Sequence, residues 1–387
     1  MGRELEALRR AAGVTRVARV TGLDRTGIEV ACAVRPTGHV LQVSNGKGLS
    51  WEDAERGAVM EAVELHAAET VRAASLRWAS AEELEAESTF VVRADELGSA
   101  GAVADEALSA GAAVFADLET RMAWREGVEL LRGGRAFVPA QAVHCPPQGV
   151  DLGAVAIGWT TNGMGAHTTS RDAALLHALL EACERDQLAR VATEGLDAQL
   201  LIERRLAPDA RVLPRTLELV RKLEKAGFDV ALLDLAPESD EPGALDLPVA
   251  GALLVDREAG PIPLTAGYAC RLSRDEAFLA AVLEAAQSRL TDIHGAREDI
   301  THEGQARREQ SLQVAALLRS SGAVRLPSQL PKDVRALTPE AAVSRVLQRI
   351  RRAGGEQVVA VDVAEGTVPA QVVKVVVPSF LLSTLLL

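Results

Sequence analysis

The feature that most constrains this chain is one short pattern written three times at wide spacing. When Glu61, Glu181 and Glu284 are aligned, a serine stands eleven residues before each, at Ser50, Ser170 and Ser273. Alanines stand seven before (Ala54, Ala174, Ala277) and three before (Ala58, Ala178, Ala281), and Glu64, Glu184 or Gln287 follows by three. A repeat governs how everything around it is read, because each copy has to be the same piece of local structure. The copies lie 120 and 103 residues apart, which rules out a tandem solenoid and points to pseudo-symmetric elements meeting at one centre.

Each copy reads as a helix that begins at its serine, whose hydroxyl can accept an orphan N–H of the first turn. Asp53 and Glu276 follow their serines by three, a capping-box-like arrangement, and Asp172 supplies the first-turn acid of the second copy. Offsets of four, three and three put the alanines and the acids on one helical face. An ordinary amphipathic helix would carry Leu or Val where these alanines stand. Alanine leaves room for close approach by another helix or by a planar ligand.

Strand-like runs lie between the helices at 28–34, 136–143, 230–234, 249–255 and 358–363, so the chain is α/β. With aromatics at 3% and hydrophobic residues at 48%, its core has to be built from Ala, Val and Leu. The arginine-rich segment 349–352 and the Gly354-Gly355 turn lead into the final strand unit. The apolar stretch 375–387 is about half of a membrane span and contains Pro378, which predicts a buried strand followed by a docked tail.

A formal charge of -12 offers no basic footprint for nucleic acid. Cys32, Cys145, Cys183 and Cys270 are too scattered for a zinc knuckle or a disulfide framework, and residues 1–13 carry no signal-type apolar run. A reducing, cytoplasmic setting without a membrane segment is the expectation.

If the three helices meet, Glu61, Glu64, Glu181, Glu184 and Glu284 share a small space, where each close pair of like charges repels by roughly 4 kcal/mol. Oxygen donors without His or Cys favour Mg²⁺, which typically takes one or two protein carboxylates and fills its shell with water and phosphate. The bland alternative, three solvated helix faces, leaves the matched serines and alanines without a reason. Glycine-rich turns, 44–48 and 161–165, precede the first two helices; neither has Walker spacing, but each is expected to aim backbone N–H groups at an anion. Lys47 between two glycines and Arg297 after the third helix are the basic candidates, each with a bland alternative: a solvated lysine, or a salt bridge from Arg297 to Glu298 or Asp299.

On these residues the chain resembles the YcaO proteins. The matching segments are T-G-L-D-R-T-G-I (21–28), the S-N-G-K-G start through Glu64, Asn162 through Asp186 ending in E-A-C-E-R-D, E-A-A-Q-S-R (284–289), and Gly295 through Asp299. They imply a YcaO-type fold in one domain over 12–378, with sub-lobes around 81–145 and 195–265 and an apolar tail at 379–387. The resemblance assigns Glu61, Glu64, Glu181 and Glu184 to metal and nucleotide, Glu284 and Gln287 to the same neighbourhood, Arg297 to phosphate, and Arg16 and Lys47 to the nucleotide site. ATP and Mg²⁺ are the implied cofactors, and homodimers are common in such a family.

The implied chemistry is phosphorylation of a peptide-backbone amide oxygen so that a nucleophile can replace it. Azoline-forming members end in a P-x-P-x-P tail, whereas this chain ends Val377-Pro378-Ser379-Phe380 and then leucines. Thioamide-forming relatives that work with a TfuA-like partner often lack that tail, so thioamidation of a precursor peptide or protein is the leading expectation, ahead of azoline or amidine formation. No peptide-clamp domain is expected within the chain, and leader recognition is assigned to a separate protein. The competing class is a non-catalytic YcaO-like scaffold; a third reading is an old duplication kept only for packing.

Overall fold

Each repeat helix folds back on the strand that precedes it, and the reason lies in glycine. The computed structural model describes residues 2–87, 90–93, 96–97, 119–144, 150–153, 162–192, 197–295, 304–364 and 366–381. Among them the strands are β1 (Arg16–Arg19), β2 (Glu29–Val34), β3 (Val43–Gly48), β4 (Leu76–Ala79), β5 (Phe90–Val91), β6 (Met122–Glu129) and β7 (Arg135–Pro139). They continue with β8 (Asn162–His167), β9 (Phe228–Asp234), β10 (Val249–Asp256), β11 (Leu264–Cys270), β12 (Val359–Asp362) and β13 (Gln371–Val376). The helices are α1 (Gly2–Ala11), α2 (Trp51–Glu69), α3 (Ala81–Ala86), α4 (Ala140–Val143), α5 (Arg171–Val191), α6 (Ala198–Glu203), α7 (Pro214–Lys225), α8 (Arg274–His294), α9 (Gly304–Ser320) and α10 (Pro339–Arg352).

Three sheets result, with orders β1-β2-β3, β11-β10-β9 and β5-β7-β6-β12-β13-β8, the last also carrying β4 on β6. The strand leading into each repeat helix, β3 into α2, β8 into α5 and β11 into α8, is therefore the terminal strand of its sheet. A β-carbon at Gly46 would overlap the Ala54 carbonyl oxygen and the Ala58 nitrogen. At Gly163 it would overlap the Ala178 carbonyl oxygen, at Gly165 that of Ala174, and at Gly267 that of Ala281. None of these four glycines has a left-handed φ. They serve close approach, and the repeat alanines, all fully buried, are the surface approached.

This corrects the reading of 44–48 and 161–165 as anion-binding turns. Among the described residues of these stretches, the chain runs as β3 and β8, and its glycines lie flat on α2 and α5. The serine starts hold in two copies: Ser50 accepts the Asp53 N–H at 3.2 Å and Ser170 the Ala173 N–H at 3.1 Å. Ser273 occupies the cap position without a side-chain cap bond, and the Arg274 N–H goes instead to Asp333 at 2.9 Å. The expected strand at 136–143 ends at Pro139, which has no amide hydrogen, and α4 follows.

Separate apolar clusters lie under the three helices, one including Ala58 and Ala62 of α2, one Ala178 and Ala182 of α5, and one Ala281 and Ala285 of α8. Segment 21–28 is tied to α8 by Arg289, which bonds Asp24 and Asp256 at 2.9 Å each and lies over the Phe228 ring. The arginines of 349–352 form the last turn of α10, and Gly354, at φ +90°, turns the chain toward β12. After β13, Phe380 is buried and the Leu381 N–H donates to Asp186 on α5 at 2.8 Å; residues 382–387 lie outside the described set. No helix among the described residues is long and apolar enough to cross a membrane.

Candidate functional site

A terminal strand exposes a row of backbone N–H groups that must find acceptors. The repeat glutamates supply them. Glu61 takes the Asn45 N–H at 2.9 Å and Glu181 the Met164 N–H at 2.7 Å, while Glu284 takes that of Tyr268 through a long 3.4 Å bond. In each case a helix caps the edge of its own strand.

The second acid of the first two motifs reaches the next strand in a cycle. Glu64 on α2 accepts the Ala166 N–H of β8 at 2.8 Å, and Glu184 on α5 accepts the Cys270 N–H of β11 at 3.0 Å. α8 in turn packs on β3, where Lys47 Nζ bonds Glu284 at 2.7 Å. Three sheet edges and three helices thus meet around one acidic centre, and segments 102 and 86 residues apart become hydrogen-bond neighbours. The five carboxylates anticipated from the sequence are brought to this centre together.

Their electrostatics show what the centre lacks. Burial, then the charges of Glu181 and Glu61, raises the Glu64 carboxyl well above its ordinary range. Burial and the charge of Glu284 push Glu184 up to about 7. Burial also acts to raise Glu181, but the Arg185 guanidinium and the Met164 N–H outweigh it and hold that carboxyl low. Arg185 pairs with Glu181 at 2.7 Å and Lys47 with Glu284 at 2.7 Å, while Lys374 acts on Glu64 and Glu181 and Arg271 on Glu184 through their charges, so among the described residues four monovalent cations face five acids. Among the described residues no three His, Cys, Asp or Glu side chains form a ready-made metal cage. An oxygen-only set short of positive charge and lacking a cage suits Mg²⁺, which keeps several waters and takes further oxygens from phosphate. The residues therefore fit a magnesium–nucleotide pair better than a bare structural metal.

The remaining expected residues divide. Gln287 is on α8 one turn beyond Glu284, facing the same junction. Arg16 stands exposed on β1, two strands away from β3, with no bond to the five glutamates. Arg297 lies outside the described residues. Sequence reasoning missed others. Lys374 pairs across β13 and β8 with Met164, shares its strand face with Val372 and Val376 against α2, and acts electrostatically on Glu64 and Glu181. His177 precedes Glu181 by one turn, and its imidazole is held below the ordinary pKa by the surrounding protein and by Arg271 and Lys47, against Glu181. The signals were there: a lone lysine in an apolar strand, and a histidine where the other copies have Gly57 and Ala280.

The Glu184 shift has a measurable consequence in metal-free protein. Its unfolded carboxyl loses a proton near 4.5 and its folded one near 7. Within that window the folded chain holds the extra proton, so stability contributed by this group falls as pH rises and stops changing above about 7. Denaturant midpoints taken across the window should slope downward in the wild type and less so in Glu184→Gln. Equal slopes would remove Glu184 as the cause.

The comparisons with known proteins identify the family and the fold. The family model described as YcaO cyclodehydratase, ATP- and Mg²⁺-binding, matches residues 45–381. An uncharacterized protein in the tfuA 3′ region of Rhizobium leguminosarum bv. trifolii is 32% identical over 374 residues, covering 95% of this chain and 83% of that protein. YcaO from Methanopyrus kandleri, solved with AMPPCP and Mg²⁺, superposes with a TM-score of 0.68 at 23% identity, over 97% of this chain and 88% of that one. A heterocyclase in complex with substrate and cofactor gives 0.69 at 17% identity, over 98% of this chain and 52% of the other. The chain belongs to the YcaO family, a family of ATP- and Mg²⁺-binding proteins.

Proposed function

We propose that this chain uses ATP and Mg²⁺ to activate a peptide-backbone amide, and that the product is a thioamide. The observation that carries the reading is the cyclic junction, where five carboxylates meet with too little positive charge to balance them. In it Glu61, Glu64, Glu181 and Glu184 hold metal and nucleotide, each spending one oxygen on a strand N–H so that its direction is fixed before any ligand arrives. Glu284 and Gln287 border the same space, Lys47 orients Glu284 and meets the phosphates, and Arg297 and Arg16 complete the phosphate side. ATP would supply the phosphoryl group that turns the amide oxygen into a leaving group. The nucleophile adds to the amide carbon and the oxygen departs with phosphate. When the nucleophile is sulfide, sulfur takes the oxygen's place.

Thioamidation is favoured over ring formation because the rhizobial relative is described by its place in the tfuA 3′ region. The reading includes a TfuA-like partner, a separate leader-binding protein, a homodimeric state and a cytoplasmic location. Azoline formation is the second reading, favoured by the family's description as cyclodehydratase, with amidine formation as a further variant. The non-catalytic scaffold predicts no turnover.

The test combines the chain, a TfuA-like protein, a candidate peptide, sulfide and Mg-ATP, read by mass spectrometry and phosphate release. Exchange of one oxygen for one sulfur supports thioamidation, and loss of one water supports an azoline. An absence of peptide-stimulated phosphate release with every candidate would leave the scaffold.

A further inference from the structure

The cycle of helices and strands has one irregular corner. β8 turns Met164 and Ala166 toward the cluster under α2, and β11 turns Ala266 and Tyr268 toward the cluster under α5. By the same geometry β3 turns Asn45 and Lys47 toward α8, and here both residues are polar. Glu64 and Glu184 tie their helices to the next strand through a backbone N–H. The matching position on α8 is Gln287, and among the described residues no bond joins its side chain to β3.

Asn45 makes the connection by another route. Its side-chain Nδ2 donates to Thr291 Oγ1 at 3.0 Å, one turn beyond Gln287, and the Thr291 hydroxyl donates to the Gln287 carbonyl at 2.9 Å. Its Oδ1 accepts from Cys32 Sγ at 3.0 Å, and its backbone N–H is the donor held by Glu61. Asn45 and Thr291 are each only 4% exposed, and Cys32 only 3%. A buried amide with both ends bonded is fixed in place, because either end left unpaired has no water to replace the partner. A movement of Asn45 therefore carries Glu61 with it.

We propose that Asn45 is a positioning residue that closes the ring of three corners: it clasps β3 to α8 through Thr291 and so sets the direction of Glu61. Asn45 does not itself touch the nucleotide. The inference rests on the metal- and nucleotide-binding reading above, and it names the one junction where a side chain does what a backbone N–H does at the other two.

The experiment uses the full chain as Asn45→Ala, Thr291→Val, the double variant and Thr291→Ser, which keeps the hydroxyl. Binding of Mg-AMPPCP is followed by calorimetry and ATP hydrolysis is titrated with Mg²⁺. Asn45→Ala and Thr291→Val should each raise the Mg²⁺ needed for half-saturation by about tenfold, in the range seen when groups that orient metal ligands are removed. The double variant should be no worse than the worse single one, since both remove the same bond, and Thr291→Ser should stay close to wild type. A residue that only stabilises the fold would lower the denaturant midpoint and leave half-saturation within twofold, which would overturn the proposal. Should Asn45→Ala fail to fold, Thr291→Val against Thr291→Ser decides alone. If wild-type protein fails to bind Mg-AMPPCP, the nucleotide reading itself falls; if wild type and variants bind alike, only the clasp falls.

Discussion

Glu61→Gln and Glu181→Gln should each cut Mg²⁺-dependent ATP hydrolysis by on the order of 100-fold while leaving the fold in place, the scale expected when a preorganised charge is removed from a site that stabilises developing charge. Glutamine is the informative replacement because its carbonyl oxygen can still accept the strand N–H that each carboxylate holds, Asn45 for Glu61 and Met164 for Glu181. The edge cap survives and the charge does not. Alanine would remove both and confuse loss of binding with a loosened sheet edge. Glu69→Gln provides the contrast, since Glu69 is buried in a bidentate pair with Arg35 at 2.5 and 2.8 Å and belongs to the frame. That change should lower stability, because it leaves Arg35 without its counter-charge, and should leave the Mg²⁺ dependence of the remaining folded enzyme unchanged. Full ATPase activity in both Glu61→Gln and Glu181→Gln would show that these acids serve only the strand edges, and the packing explanation of the repeat would then stand.

The centre was legible in the sequence because it is repeated, and repetition is a signal that survives ignorance of the fold. The alignment of Glu61, Glu181 and Glu284 located three helices, their serine starts and five acids that the structure brings together. What it could not carry was the order of contact. Nothing local in the chain says that Glu64 caps Ala166, or that Lys47 meets Glu284 across 237 positions, because those bonds depend on which sheet edge lies beside which helix. Lys47 was accordingly weighed between a solvated lysine and a phosphate ligand, and the ion pair to Glu284 is a contact that neither alternative contained.

Glycine was misread for a different reason. Two properties make it useful, free choice of φ and lack of a β-carbon, and a sequence alone does not say which one a position uses. The turn reading of 44–48 and 161–165 relied on the first. The alanines seven and three before each glutamate held the answer to the second, since a row of small residues on a helix is a surface that something approaches closely; the approach is by the strand just upstream. The product of the reaction was beyond both kinds of reading, because a cluster of carboxylates carries no information about the nucleophile.

The tightness of that approach yields the second large effect, which is expected from the smallest of substitutions. In Gly163→Ala the new methyl group would overlap the carbonyl oxygen of Ala178. A backbone oxygen inside a helix cannot change rotamer to make room, so either α5 or β8 has to move. β8 is held on its far side by six residue pairs with β13, from Asn162 opposite Val376 to His167 opposite Gln371, and α5 is anchored by its fully buried alanines. Strain of this kind costs about 3 kcal/mol, at the upper end of typical overpacking values. The displacement also separates the Met164 N–H from Glu181, so nucleotide binding should weaken before the fold is lost. Gly22→Ala sets the scale: no atom lies within 4 Å of the added carbon and the φ of Gly22 is not positive, so it should shift the denaturant midpoint little, or upward, by restricting the unfolded chain. Midpoints compared at constant denaturant slope measure the difference. If the two variants denature together, β8 does not lie this closely on α5, and the directions of the carboxylates lose their support.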